Sequence, residues 1–356
     1  MEPSYWISLD VHSRTCEYVT ATPGGRVLER GSVDTQIAPL VAVIKQVRRP
    51  RTVVFEEGPL ADWLYRELGE SADAVVVCDP RRNHLIARDG DKDDPLDAQK
   101  LLELARGGYV RPVHHSGSLG RSVFKHHVSL YHDRVQLKVS EANKVIWFVR
   151  RFGVVVRERA FADAAGQSSL LSRLPSRRTV QHDARGLLDS YDMIVQQVET
   201  LGRDLVRQSR RLEPVRRFCA LPGVRWIRAA TFYAYVDTPF RFRNKSSLCK
   251  YMGIGLERRQ SGSDVARLSV PRRCNRALKN MILGEAHSAA ASKDNPFAEQ
   301  YERSLHDGHS PDVARRTVAR SLASVMWGMW KSNSTYRADW VGRSVAMSDG
   351  VASPPP

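Results

Sequence analysis

Two groups of residues in this chain have types and spacings suited to chemistry on a polyanion: carboxylates that close apolar segments, and a polar serine segment set among arginines. Asp10 ends Ile7-Ser8-Leu9-Asp10 and Glu56 ends Val53-Val54-Phe55-Glu56, while Asp94 and Asp97 stand three apart at the start of a helical segment. That spacing puts both aspartates on one helix face, where they can share an ion. Converging carboxylates repel unless cations sit between them, and hard oxygen ligands select Mg2+ or Mn2+. Such ions activate an attacking oxygen and stabilise a leaving one in phosphodiester chemistry. Each acid also has an ordinary use. Asp94 before Pro95 suits a helix N-cap, Asp97 complements a helix dipole, and Glu56 belongs to a solvated Glu56-Glu57 pair. Asp10 is harder to place that way, because a charge beside Trp6, Ile7 and Leu9 costs free energy unless something binds it.

The second group centres on Gln260-Ser261-Gly262-Ser263, a string that by itself reads as a polar loop. Around it lie Arg258, Arg259, Arg267, Arg272, Arg273, Arg276 and Lys279. That density suits neutralisation of a nucleic-acid backbone, although a solvated basic face is the ordinary use of any one of them. Upstream, Leu221-Pro222-Gly223-Val224 has the form of a hairpin between helices, in which amides around Gly223 can face a phosphate; it also serves simply as a turn. Trp226, Phe232, Tyr233 and Tyr235 follow helical spacing and read as core.

The elements that position these groups follow from periodicity. Tyr5 to Val11, Cys16 to Thr22 and Arg26 to Val33 read as strands, the last two joined at Pro23-Gly24-Gly25, which makes an antiparallel meander. A helix around Ile37 to Val47, the apolar strand Thr52 to Phe55, a helix over Leu60 to Leu68 and the run Ala74 to Cys78 then alternate as in a mixed α/β sheet with parallel strands. A further helix starts near Pro95 and is closed by Gly107-Gly108. From about Ser118 to Phe218 strand signals vanish. Two long amphipathic helices joined near Leu174-Pro175 form an arm with coiled-coil character, a device for spacing domains or joining protomers. Past Cys219 a helical segment runs to about Trp340, and the end from about Met347 reads as a disordered tail. The expected domains are 1–112, 113–218, 219–343 and a tail at 344–356.

Charge agrees with this division. The chain of 356 residues carries net +16, yet residues 1–112 hold 15 Lys/Arg against 18 Asp/Glu, leaving 40 against 21 for the rest. A body that attracts phosphates and an acidic front end that binds divalent metal account for both signs. Five scattered cysteines without a Cys-x-x-Cys pair argue against zinc and against a disulfide framework. No apolar run reaches a membrane span, so the expectation is a soluble, cytoplasmic protein without a membrane partner.

Taken in order, these pieces resemble the DEDD transposases of bacterial insertion sequences, the family that includes the Piv-type DNA invertases and the bridge-RNA-guided recombinases. The resemblance rests on the Asp10 strand, the strand end at Glu56, the strand ending Cys78-Asp79-Pro80, and Lys92-Asp93-Asp94-Pro95-Leu96-Asp97-Ala98, which looks like the family's Lys-x-Asp-x-x-Asp-Ala signature. It continues through Phe242, Leu248 to Gly253, Gln260-Ser261-Gly262, Leu268-Ser269 and Asn275-Arg276-Ala277-Leu278-Lys279, and so covers nearly the whole chain. It implies a ribonuclease-H/RuvC-like α/β domain, a helical coiled-coil arm and an all-α C-terminal transposase domain with a helix-hairpin-helix-like element. Asp10, Glu56, Asp94 and Asp97 would hold Mg2+ (or Mn2+), Ser261 would be the nucleophile, and Lys92, Gly223 and the basic residues around Ser261 would contact nucleic acid. Two departures leave choices open. Position 93 is Asp where the family has a small polar residue, and Gly58 follows Glu56 after one residue instead of two, so Asp93 stands beside Asp94 and Glu57 beside Glu56. Ser263 and Ser269 stand likewise beside Ser261. The implied activity is cutting and rejoining of donor and target DNA through a phosphoserine link, by a dimer or tetramer, guided by a structured RNA of the element. The alternatives are a metal-dependent junction resolvase or nuclease without a covalent link, and a non-catalytic nucleic-acid-binding assembly factor.

Overall fold

A computed structural model describes residues 4–83, 94–259, 267–271 and 273–341, with side chains at all of these except 82–83, 94–96, 257–259 and 267–268. Lys92, Asp93, Ser261, Ser263 and Arg272 lie outside the described residues. The chain divides into two compact units, Met1–Val123 and Phe124–Pro356.

The first unit is built on a five-stranded sheet of order β3-β2-β1-β4-β5. β1 (Tyr5–Val11), β2 (Thr15–Ala21) and β3 (Val27–Asp34) form the antiparallel meander. Its β2–β3 turn has Gly25 at φ 92°, a conformation that favours glycine. β4 (Arg51–Glu56) runs parallel to β1, and β5 (Ala74–Cys78) parallel to β4. Parallel neighbours need crossover connections, and these are the helices α1 (Ile37–Gln46) and α2 (Ala61–Leu68). Ile7, Leu9, Val53, Phe55 and Val77 pack on one face against Leu40, Val43 and Ile44 of α1 and Ala61, Leu64 and Leu68 of α2. After the single turn α3 (Pro80–Asn83), the helix α4 (Asp94–Arg106) covers the opposite face. There Leu101 and Ala105 meet Val54 and Cys78, and Ala98 and Leu102 meet Val19 and Ala21. Coverage on both sides is why Val53-Val54-Phe55 in β4 and Ala74 to Cys78 in β5 are unbroken apolar runs. Phe55, Leu64 and Leu68 are fully buried, each such side chain contributing about 1.5–3 kcal/mol.

The arm is α5 (Leu119–Arg150), whose first residues up to Val123 belong to the first unit, and α7 (Arg178–Ser209), 32 residues each and so about 48 Å long. Ala142, Val145 and Val149 of α5 pack on Ala184, Leu188 and Tyr191 of α7, the alternating three- and four-residue spacing of a coiled-coil seam. The two helices are joined by more than a turn. A 3-10 helix at Glu158–Phe161 and α6 (Ala164–Ser172) place buried Phe161 and Leu170 across the end of the seam. Asp163 caps α6 by accepting from the Gly166 amide at 2.8 Å.

The remaining helices are α8 (Glu213–Phe218), α9 (Trp226–Val236), α10 (Lys245–Tyr251), α11 (Arg276–Ala291), α12 (Pro296–His306) and α13 (Pro311–Lys331). They share one core with Phe124 and Val128 of α5 and Leu205 of α7. Phe232 and Tyr233 are buried in it, Tyr233 stacked on Trp330 with centroids 5.0 Å apart, while Trp226 and Tyr235 pack against it. These aromatics therefore serve the core. A two-stranded antiparallel ribbon, β6 (Glu257–Arg259) with β7 (Arg267–Ser269), precedes α11. Among the described residues no helix is long and apolar enough to cross a membrane.

Candidate functional site

Strand parity fixes which face each acid of the first unit occupies. Successive strand residues point to opposite faces, so Asp10 follows Ser8 and Trp6, and Glu56 follows Val54. Trp6 and Val54 pack against the residues of α4. Asp10 and Glu56 come one residue beyond the last parallel pair, Leu9 with Phe55, and so belong to the edge where β1 and β4 both end. Asp97 lies in the first turn of α4, on the stripe that continues through Leu101 and Ala105. The other end of α4 is fastened where β1 begins. Arg106 donates to the Pro23 carbonyl at 3.3 Å, in the turn beyond the Trp6–Ala21 pair. Nine residues of helix, about 13 Å, carry Asp97 from there toward the edge of Asp10 and Glu56. Asp94 opens the same helix, its side chain outside the described residues.

The three acids thus share a face and an edge. They are not gathered into a ready pocket: among the described residues, no three His, Cys, Asp or Glu side chains are close enough to hold a metal ion. The field at this edge is nonetheless acidic. Asp10 is paired across the ladder with Glu17, and the Cys16 thiol is pushed up to about 12 by burial and then by the charges of Asp10 and Glu17. His12, two residues beyond Asp10 and so on the same face, puts Nε2 3.1 Å from Asp10 Oδ2. Hard carboxylate oxygens on a common face fit a hard divalent cation, and like charges opposed across a ladder favour one.

A second polar cluster lies on the opposite face, and sequence reasoning missed it. Glu57 amide donates to the Cys78 carbonyl at 2.9 Å, extending the ladder by one residue, and by parity its side chain leaves on the α2 side. There Glu57 Oε2 is 2.5 Å from Nε2 of His115, whose side chain is only 4% exposed. His115 Nδ1 is 3.5 Å from Asp62 Oδ1, and the ring packs beside Tyr65. Asp62 also accepts from Arg66 at 2.5 Å and from the Ser122 hydroxyl, which itself accepts from Arg66 at 3.1 Å. Burial pushes the Asp62 carboxyl up, but hydrogen bonds from Ser122 and Arg66, the Arg66 charge and His115 outweigh it and hold the group below its ordinary value. The available signal was the second of two histidines, His114-His115, that follow Pro112-Val113 in a short connection. Its partners, 58 and 53 positions away, leave no mark in local pattern.

In the second unit Ser261 and Ser263 fall between β6 and β7, outside the described residues, as does Arg272. Arg258, Arg259 and Arg267 sit on the two ribbon strands. Ser269, at the end of β7, has a buried hydroxyl without a hydrogen-bond partner among the described residues. Arg273 and Arg276 are exposed. A hollow of about 440 Å³ is lined by Val270, Pro271, Cys274, Arg276, Lys279 and Asn280, at the start of a helix that Asn275 caps by accepting from Leu278 at 3.0 Å. Two cations at a capped helix N-terminus make an anion-accepting corner.

Gly223 has φ 79°, and a Cβ there would meet the Ala289 nitrogen at 2.5 Å. Close approach to α11 thus demands glycine, whatever its amide faces. Gly223→Ala is expected to cost about 2–5 kcal/mol from left-handed strain and overpacking. A urea unfolding curve checks this, and an unchanged midpoint refutes it.

Residues 215–302, from α8 into α12, match the model of the transposase IS116/IS110/IS902 family. The chain is also similar to the transposase for insertion sequence element IS1111A of Coxiella burnetii (strain RSA 493 / Nine Mile phase I), 21% identical over 263 residues that cover 69% of this chain and 68% of that protein. Both matches support the transposase family for this chain.

Proposed function

We propose that this protein is a DNA recombinase of an insertion sequence, cutting and rejoining strands with an acidic metal site in its first unit and Ser261 in its second. The observation that carries the reading is the pairing of one sheet edge and face holding Asp10, Glu56 and Asp97 with a transposase match at 215–302 that contains Ser261. Asp10, Glu56, Asp94 and Asp97 are the residues that would hold Mg2+ or Mn2+. Bound there, such an ion supplies charge neutralisation at phosphate and a more acidic attacking oxygen. Arg273, Arg276 and Lys279, with the arginines of the ribbon, hold the DNA backbone beside the serine.

In the proposed reaction the Ser261 hydroxyl attacks a DNA phosphorus. An ester bond forms to Oγ as the bond to one DNA oxygen breaks, and the serine proton goes to a base. A DNA hydroxyl then attacks the phosphoserine, joins the strands and returns the serine, so the bond energy is conserved without ATP. A structured RNA of the element is the proposed guide for donor and target. Assembly as a dimer or tetramer is favoured by the exposed apolar Val139, Trp147 and Met193 of the arm.

The test is trapping. Protein, Mg2+, the element's end DNA and RNA transcribed from its flank are incubated and denatured, and protein joined covalently to DNA is sought. The expected adduct disappears in Ser261→Ala. Cleavage without an adduct supports a hydrolytic resolvase instead, and binding without cleavage supports an assembly factor.

A further inference from the structure

We infer that His115 is a positioning residue for the acidic site: by fastening Glu57 to the α2 side of the sheet, it fixes the end of β4 so that Glu56 serves the α4 side. The inference rests on the metal reading of Asp10, Glu56, Asp94 and Asp97, and it settles which of the two adjacent glutamates is the ligand.

Glu56 and Glu57 are consecutive, and the chain leaves its ladder between them. β4 ends at Glu56, and only the Glu57 amide bond to the Cys78 carbonyl continues the pairing. A strand end held by one further backbone bond is free to twist, and a half-turn would exchange the two carboxylates between faces. The Glu57 side chain prevents this. At 2.5 Å from His115 Nε2 it accepts a short hydrogen bond from a ring nitrogen that is almost wholly enclosed. The ring is itself held: Asp62 faces Nδ1, Tyr65 lies against the plane, and Asp62 is tied by Arg66 and Ser122. Every anchor except Ser122 and His115 stands on the β4–α2 connection or on α2; His115 stands in the segment that leads into α5 and Ser122 in the first turn of that helix. The fastening is therefore rigid relative to the sheet, as a support for a metal ligand must be. Glu57 is not available as an alternative ligand while it satisfies His115.

The test uses the full chain and Mn2+ alone, with free Mn2+ read by electron paramagnetic resonance. Glu56→Gln is expected to lose binding. His115→Ala and Glu57→Ala are expected to weaken it about tenfold. Glu57→Gln should bind nearly as the wild type does, because its amide oxygen still accepts from His115, and His115→Gln should restore part of the loss by keeping a donor. Glu57→Ala alters a side chain 42% exposed, so it carries the test if His115→Ala does not fold. Wild-type binding in His115→Ala or Glu57→Ala overturns the inference and leaves the metal reading intact. Equal losses in Glu57→Gln and Glu57→Ala overturn it as well, because the charge of Glu57 would then be what binds. A wild-type chain that binds no Mn2+ overturns both readings.

Discussion

Asp10→Asn is expected to lower DNA cleavage about a thousandfold or more, the several kcal/mol of transition-state stabilisation that a metal ligand supports, while DNA affinity stays at the wild-type level. The replacement is nearly isosteric and removes a negative charge from an edge where Asp10 faces Glu17 across the ladder. Folding should therefore be unharmed, and the like-charge repulsion is relieved. In the proposed reading, grip on the DNA backbone belongs to the basic residues of the other unit, so binding is expected to persist. Single-turnover cleavage in Mg2+ and a mobility-shift titration, run side by side, separate the two effects. Cleavage that survives Asp10→Asn removes the acidic site from the mechanism. A parallel loss of affinity makes Asp10 part of the DNA grip, which the charge distribution does not favour. Glu17→Gln is the control: it lightens the same field from the neighbouring strand and is expected to leave cleavage near wild type, because Glu17 is no member of the proposed ligand set.

The face shared by Asp10, Glu56 and Asp97 was legible because its supports are local patterns. Val53-Val54-Phe55 and Ala74 to Cys78 are short unbroken apolar runs, the pattern of strands with helices on both faces of the sheet. Once β1 and β4 are parallel neighbours, period two places the two acids. The arm was legible for the same reason, since its seam residues repeat at threes and fours. What escaped were arrangements set by distant partners. The helix and 3-10 turn across the arm's end show little amphipathic patterning, and the burial of Phe161 and Leu170 against the seam reveals their role. His115 carried no local signal, because Glu57 and Asp62 reach it through tertiary structure. Gly223 suggested a phosphate-facing turn, and the backbone of α11 at Ala289 supplies a separate reason for glycine there. Asn275, within a segment that resembled a transposase motif, caps α11 and donates to Tyr251 Oη at 3.3 Å, so part of that motif's pattern belongs to architecture.

Glu285→Met is expected to stabilise the second unit by up to about 5 kcal/mol above pH 8, and to do so in a pH-dependent way. Glu285 stands on α11 amid Leu278, Met281, Ile282 and Ala289, fully buried, with neither carboxylate oxygen bonded to any described residue. Burial raises its carboxyl to about 8, against a smaller opposing pull from Arg228, whose guanidinium is already bonded to the Gly284 carbonyl and Ser288. The sign follows from proton counts. Below the unfolded value of 4.5 both states hold the proton and the group brings no ionisation penalty. Between 4.5 and 8 the unfolded chain releases it first, so stability falls with rising pH until the folded group ionises as well. Methionine has nearly the same volume and nothing to ionise, so its melting temperature should exceed that of the wild type by about 10 °C at pH 8. Near pH 4.5 the two curves should approach one another. Thermal melts across that range decide the matter. Parallel profiles would show that the Glu285 carboxylate keeps its charge in the folded chain, and the apolar setting of α11 would then have to include a partner beyond the described residues.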